Sequence, residues 1–321
     1  MEFSIIIPAY NVDKILFKQC LTSILEERKV SYEIIIVDDG SSGDCASLYN
    51  EYASSYSNIR VIHKKNEGVS VARNYGINNA CGEWILFIDA DDWIETDALK
   101  NIRRIIHQTD AEVIFFGYYK NFPNREIKIT SATYSNGTEI VSEKEKITLQ
   151  KKIIGASEYG EAGARATTFR SVWSVAFKRE MLLRESLSFA EGIPIGEELI
   201  FRLYSAQCAK KIQYSDYCYY HYRNNQDSAS CKYRKTAEED SLKELGEIKK
   251  FIKLSGATEL IEAYQFRVVE IMTVLPLRCY FHKDNTYNYC KKRKLASLFM
   301  HSDIVKKNVT ASIIKKLPFQ R

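Results

Sequence analysis

The 321-residue chain lacks most of the marks by which simple classes declare themselves. Its eight cysteines (Cys20, Cys45, Cys81, Cys208, Cys218, Cys231, Cys279 and Cys290) form no C-x-x-C pair and join no Cys/His cluster of zinc-finger spacing. That excludes a zinc ribbon and a disulfide-stapled scaffold, and leaves reduced thiols in a reducing compartment. Met1 leads directly into an apolar run at residues 3–8 with no basic leader and no small-residue cleavage site, so no signal peptide is expected. The most apolar later stretch, residues 268–281, is interrupted by Glu270, Pro276 and Arg278 and is too short and too polar to cross a bilayer. No G-x-G-x-x-G follows the first strand candidate and no G-x-x-x-x-G-K-[ST] occurs, which removes the dinucleotide fingerprint and the P-loop. There is no internal repeat and no low-complexity tract.

What the chain does have is an uneven charge. The net charge is only +5, but residues 283–321 hold ten basic residues against Asp284 and Asp303, a local +8. Residues 1–282 therefore carry −3, and a basic tail follows a slightly acidic body. In the tail, Leu298, Val305, Val309 and Ile313 recur at helical spacing with lysines between them, so a basic amphipathic helix is expected. It would either lie on an anionic membrane surface or pack on the body as an ordinary solvated helix. Nucleic acid is not an expected partner, because no recognition fold accompanies the basic stripe.

At ~150 residues per domain the length suggests two units. Over the first 120 residues, Ile/Val-rich runs (3–8, 33–37, 59–62, 84–88 and 112–117) alternate with helical periods. One such period carries Leu16, Cys20, Leu21, Ile24 and Leu25, and another carries Leu48, Tyr49, Tyr52 and Tyr56. A third carries Ala98, Leu99, Ile102, Ile105 and Ile106, with Thr96 placed to cap it. Continuous β-branched runs suit strands covered on both faces, and the alternation predicts a doubly wound, mostly parallel α/β sheet. After residue 237 the chain reads as helical, with breaks near 255–256 and at Pro276.

In open α/β sheets, ligands bind beyond the carboxyl ends of the strands. Four strand candidates end in chemically loaded segments: Pro8-Ala9-Tyr10-Asn11, Asp38-Asp39-Gly40, Asn66-Glu67-Gly68 with the following Arg73, and Asp89-Ala90-Asp91-Asp92. Three carboxylates within four residues at a buried strand end repel one another unless a positive group is bound. A hard Mg²⁺ or Mn²⁺ that itself holds phosphate oxygens would resolve this; a solvated acidic turn is the plainer reading. Asp39 either accepts a hydrogen bond from a nucleobase or shapes a turn, and Arg73 either meets phosphate or is a surface helix charge.

The segments SIIIPAYN (4–11), EIIIVDDGSS (33–42), NEGVSVARNYGI (66–77) and GEWILFIDADDWI (82–94) occur in that order. Together they resemble family 2 glycosyltransferases of the GT-A fold, a group that builds bacterial surface polysaccharides. The resemblance implies a GT-A catalytic domain over 1–230, divided into a nucleotide-binding half (1–117) and an acceptor half (118–230), with a helical, basic region at 231–321. It places Pro8, Ala9, Tyr10, Asp39, Asn66, Arg73 and Asp89 at the nucleotide. Asp91 becomes the direct metal ligand, with Asp89 and Asp92 beside it. The segment WSVAFKR (173–179) is similar to a family segment under the acceptor, so Trp173 lies either there or in the core. Tyr219-Tyr220-His221-Tyr222-Arg223, followed by Ser228 and Ser230, is similar to a segment from which His221 or Arg223 would steady the diphosphate.

The family pattern Gly-Glu-Asp stands here as Gly196-Glu197-Glu198. The family's Asp is the catalytic base, so Glu198, or Glu197 beside it, inherits that role with one more methylene of reach; both could instead be helix N-terminal acids. The implied reaction is an inverting, metal-dependent transfer from a UDP-sugar to a hydroxyl of a lipid-linked oligosaccharide or polysaccharide. The implied location is the cytoplasm or the inner face of the cytoplasmic membrane. Two rival readings remain: a nucleotidyltransferase on a similar sheet, and an inactive membrane-associated scaffold, which only the Glu198 departure favours.

Overall fold

The computed structural model describes residues 1–155, 167–224, 233–275 and 279–308. Strands β1 (Phe3–Ala9), β2 (Tyr32–Asp38) and β3 (Ile59–His63) alternate with helices α1 (Lys14–Leu25), α2 (Gly43–Ser55) and α3 (Val69–Asn79). They are followed by β4 (Trp84–Phe87), β5 (Trp93–Ile94), α4 (Ala98–Ile106), β6 (Val113–Phe122), β7 (Arg125–Ile129) and β8 (Glu139–Ile140). The second half adds α5 (Glu143–Ile154), α6 (Thr167–Arg170), β9 (Val175–Lys178), α7 (Arg179–Arg184), α8 (Glu197–Cys208) and β10 (Ile212–Arg223). Then come α9 (Ala237–Ser255), α10 (Ile261–Leu275), α11 (Tyr289–Met300) and α12 (Asp303–Asn308).

One sheet runs in the order β3-β2-β1-β4-β9-β6-β10-β5. The pairs β3/β2, β2/β1, β1/β4 and β6/β10 are parallel. The doubly wound α/β expectation is met, with β9 inserted antiparallel between β4 and β6. Side chains alternate between faces along a strand, so the Ile run of β1 divides between two cores. Ile5 and Ile7 pack with Phe17, Leu21 and Ile24 of α1, whereas Ile6 packs with Ala72 and Ile77 of α3. The α3 side is tight: a Cβ on Gly76 would lie 2.3 Å from Ile6 Cγ2. An alanine there would overpack the layer, at a cost of about 1–3 kcal/mol. The Ile6 face also holds Leu199 of α8, Leu245 and Ile248 of α9 and Tyr264 of α10.

Two local expectations are corrected. Helix α4 begins at Ala98 behind Asp97, which sits in the left-handed region (φ 58°), and no side-chain cap is formed. Thr96 therefore does not cap it. The tail is not one amphipathic helix among the described residues. The chain turns at His301–Ser302, where the Ser302 amide donates to Phe299 O, because Phe299 of α11 and Val305 of α12 bury into the same apolar cluster. Leu298 is instead 60% exposed, so it shares no buried stripe with Val305. Val309 and Ile313, together with Ser228, Ser230 and Pro276, lie outside the described residues. No described helix is long and apolar enough to cross a membrane.

Candidate active site

The carboxyl ends of β1, β2 and β4 open into a cavity of about 800 Å³, closed on its other side by residues 192–196, the start of α8 and part of α9. Pro8, Ala9, Tyr10, Asp39, Asn66, Arg73, Asp89, Asp91, Asp92, Glu197, Glu198 and Arg223 all line it. Residues more than a hundred positions apart in sequence thus share one wall, because parallel strands deliver their carboxyl ends to one edge.

Asp39 is held within its own βαβ unit. Its Oδ1 accepts from Lys64 Nζ at 2.5 Å and from the Glu67 amide at 2.9 Å, and its Oδ2 accepts from the Gly68 amide at 2.8 Å. These bonds fix the loop that carries Asn66. Tyr10, 54% exposed, offers an open aromatic face at the cavity mouth.

Arg73 is not a surface charge. It is 2% exposed and lies among three carboxylates: Nη2 reaches Glu198 Oε1 at 2.6 Å and Asp89 Oδ1 at 3.2 Å, and Nη1 reaches Glu197 Oε1 at 3.1 Å. Burial opposes its charge, but Glu198, Asp89 and Glu197 outweigh that and raise its pKa. The next residue, Asn74, ties the helix to the far wall, donating to Phe189 O at 3.0 Å and accepting from the Phe189 amide at 2.7 Å.

Glu198 sits on the first turn of α8. Its Oε2 accepts from the Val172 amide at 3.1 Å while Oε1 meets Arg73, so one carboxylate joins the two. Burial pushes its pKa from 4.5 to about 7; Arg73 pulls it down, while Asp89 and Glu197 push it up. A carboxyl poised near neutrality at a cavity wall is suited to take up a proton, and each oxygen retains a second lone pair.

The three aspartates after β4 separate in role. Asp92 is 2% exposed and spends its carboxylate inside the protein, accepting from Tyr220 Oη at 2.6 Å and from the Arg223 amide at 2.7 Å. It anchors the end of β10. Asp91 faces the cavity, and its pKa is raised by burial and by Asp89. Among the described residues no three His, Cys, Asp or Glu side chains converge into a metal cage. Asp91 with Asp89 nearby still suits a hard divalent cation whose remaining ligands are phosphate oxygens and water. Burial and Asp89 outweigh the opposing charge of Arg223 at Asp91, so a further positive charge there would be favourable.

Two sequence-derived candidates lie away from the cavity. Trp173 is 5% exposed and stacks on Tyr220 and Tyr222 at 4.5 and 5.5 Å between ring centroids, which is core packing. His221 is sandwiched between Trp93 and Tyr119, each at 4.8 Å, and its Nε2 lies 3.1 Å from Glu95 Oε1. Arg223 does reach the cavity, where Nε donates to Asp91 O at 2.9 Å and the guanidinium covers Trp93. The structure adds Ile193, Pro194, Arg234, Asp240 and Lys243 to the wall. For Ile193 and Pro194 the signal in the sequence is the Gly192/Gly196 pair that brackets their loop; Arg234, Asp240 and Lys243 have none.

Comparison with known proteins gives a consistent result. The chain is 31% identical over 226 residues to an uncharacterized glycosyltransferase, EpsJ, of Bacillus subtilis, covering 70% of this chain and 62% of that one. It is 29% identical over 227 residues to a poly(ribitol-phosphate) beta-glucosyltransferase of Bacillus spizizenii, covering 69% of this chain and 32% of that one. The chain thus spans less than two thirds of these relatives' lengths. Its fold is shared with the crystal structure of S. aureus TarS 1-349 in complex with UDP-GlcNAc, at a TM-score of 0.61 and 18% identity, covering 98% of this chain and 78% of that one. Residues 4–179, more than half of the chain, match the family model described as Glycosyl transferase family 2, and the chain belongs to that family.

Proposed function

We propose that the protein transfers a sugar from a UDP-sugar to a hydroxyl of a growing, lipid-linked oligosaccharide or polysaccharide, with inversion at the anomeric carbon. The observation that carries this reading is the placement of Glu198, a cavity-wall carboxyl that shares Arg73 Nη2 with Asp89 and lines the same cavity as Asp91, and whose pKa burial raises to about 7. Tyr10, Asp39 and Asn66 form the wall that takes the nucleotide, and Asp39 orders the 66–68 loop against it. The solved relative in complex with UDP-GlcNAc supports a nucleotide-sugar donor of this class.

Glu198 takes the proton from the acceptor hydroxyl as that oxygen bonds to the anomeric carbon. The bond to the diphosphate breaks from the opposite face, and its electron pair leaves with UDP. Glu197 holds Arg73 from the side, and Arg73 sets the orientation of Glu198. Asp91, with Asp89 beside it, would hold Mn²⁺ or Mg²⁺, which offsets the negative charge gathering on the leaving diphosphate. Glu198→Gln and Asp91→Ala are tested separately for UDP release from UDP-sugars. Full activity in both removes these assignments.

A membrane-bound acceptor agrees with the +8 of residues 283–321, at ~1 kcal/mol for each basic residue near an anionic leaflet. Flotation on anionic liposomes is expected for the full chain and not for residues 1–282. Equal flotation of the two forms removes the tail from that role.

A further inference from the structure

Behind the cavity lies an ionic cluster that joins α9, α10 and α6, with Glu244 buried and Arg267, Glu270 and Arg170 partly buried. Arg267 donates from Nε to Glu244 Oε1 at 2.7 Å and from Nη2 to Glu244 Oε2 at 3.1 Å, a two-pronged pairing. Its Nη1 reaches Glu270 Oε2 at 2.8 Å, and the same oxygen accepts from Arg170 Nη2 at 2.9 Å. Arg170 is also tied to the end of α5, through Nε to Ile153 O at 3.0 Å and Nη2 to Ile154 O at 2.8 Å.

Both ends of this cluster arrive at Glu198. At one end, Glu244 presses on Gly196, the residue before Glu197 and Glu198. A Cβ there would lie 2.5 Å from Glu244 Cγ, and Gly196 has φ 87°, so the approach needs glycine twice over. At the other end, two residues past Arg170, the Val172 amide holds Glu198 Oε2. The contacts therefore close a ring from Glu198 through Gly196, Glu244, Arg267, Glu270, Arg170 and Val172 back to Glu198.

We propose that Glu244, Arg267, Glu270 and Arg170 are positioning residues for Glu198, so that α9 and α10 hold the proposed base in register. The inference rests on the reading of Glu198 as the base. Ion pairs drawn this far from solvent are a poor source of stability, since apolar packing serves equally well. What directional pairs supply is a fixed register, and this ring fixes the turn before Glu198 and the amide that touches it.

The test uses the full chain, free of ligand for the exchange measurement. Arg267→Lys keeps the charge but loses the fork. Arg184→Lys is the control, because Arg184 pairs with Glu112 in the same two-pronged way (2.8 and 3.1 Å) without touching the ring. Amide hydrogen exchange at Val172 is measured first, then turnover as UDP released from UDP-glucose, and UDP affinity.

Arg267→Lys is expected to speed exchange at Val172 at least tenfold and to lower kcat at least tenfold, with the Kd for UDP held within twofold. Arg184→Lys is expected to change none of these, whatever its melting temperature. Unchanged exchange at Val172 in Arg267→Lys overturns the proposal, and so does an equal rise in Arg184→Lys. If Arg267→Lys does not fold, Glu270→Gln replaces it with the same readouts. Glu198→Gln is run alongside: full turnover in it removes the base reading, while the exchange result still decides the ring.

Discussion

Asp39 and Glu198 are both carboxylates on the wall of one cavity, and they are held in opposite ways. Asp39 receives an ammonium and two backbone amides, all from within thirty residues of itself. Glu198 receives one amide and one guanidinium, and that guanidinium is shared with Asp89 and Glu197. Burial raises the pKa of Glu198, Arg73 opposes that, and the two other carboxylates around the same cation, Asp89 and Glu197, raise it further. The first arrangement makes a fixed surface to bind against. The second makes a group ready to exchange a proton, and the polarity of the cavity runs from one to the other.

The largest effect that breaks this contrast is removal of the reactive carboxylate. Glu198→Gln is expected to lower UDP release from a UDP-sugar by about 10²–10⁴-fold, with UDP binding, read by calorimetry, unchanged. Next comes Arg73→Met, which strands three acids: a stability loss of about 3–5 kcal/mol in urea unfolding is expected. An unchanged midpoint would show that solvent, not Arg73, compensates them.

A third prediction separates the two ends by pH. The folded Glu198 carboxyl titrates near 7 and the unfolded one near 4.5, so the folded state binds the extra proton between those values. Its contribution to stability is greatest below 4.5 and falls as pH rises through 7, by on the order of 3 kcal/mol at ~1.4 kcal/mol per unit. Wild type should thus lose more melting temperature than Glu198→Gln between pH 5 and pH 8. Identical slopes would remove the raised pKa. The smallest effect belongs to the binding wall: Lys64→Ala is expected to weaken UDP binding by roughly tenfold or less, about 1.4 kcal/mol, since Lys64 acts on the wall through Asp39 and two amides remain on that carboxylate.

The same contrast governs what the sequence discloses. Strands 3–9, 32–38 and 84–87 announce themselves through continuous apolar runs, because both of their faces are covered, and their ends carry Pro8, Asp39 and Asp89 to one edge as a parallel sheet requires. Contacts made within one βαβ unit, such as the Asp39 loop, follow from that order. Contacts across the fold do not. Arg73 sits in a helix whose sequence gives no sign that Glu197 and Glu198, more than 120 residues on, close over it. Trp173 and His221 carry the chemistry of ligand residues, but neighbouring rings claim both faces of His221 and stack Trp173 into the core. Asp92, expected beside Asp91 at the metal, instead gives its oxygens to Tyr220 and the Arg223 amide, both on β10.

The most direct test of the proposed base is the pH dependence of kcat/KM for UDP release from a UDP-sugar, measured on wild type and Glu198→Gln. The account predicts that wild-type activity falls tenfold per pH unit below about 7 and levels off above it, and that Glu198→Gln lacks this limb. A flat wild-type profile between pH 5 and pH 8, or the same limb surviving in Glu198→Gln, would contradict it.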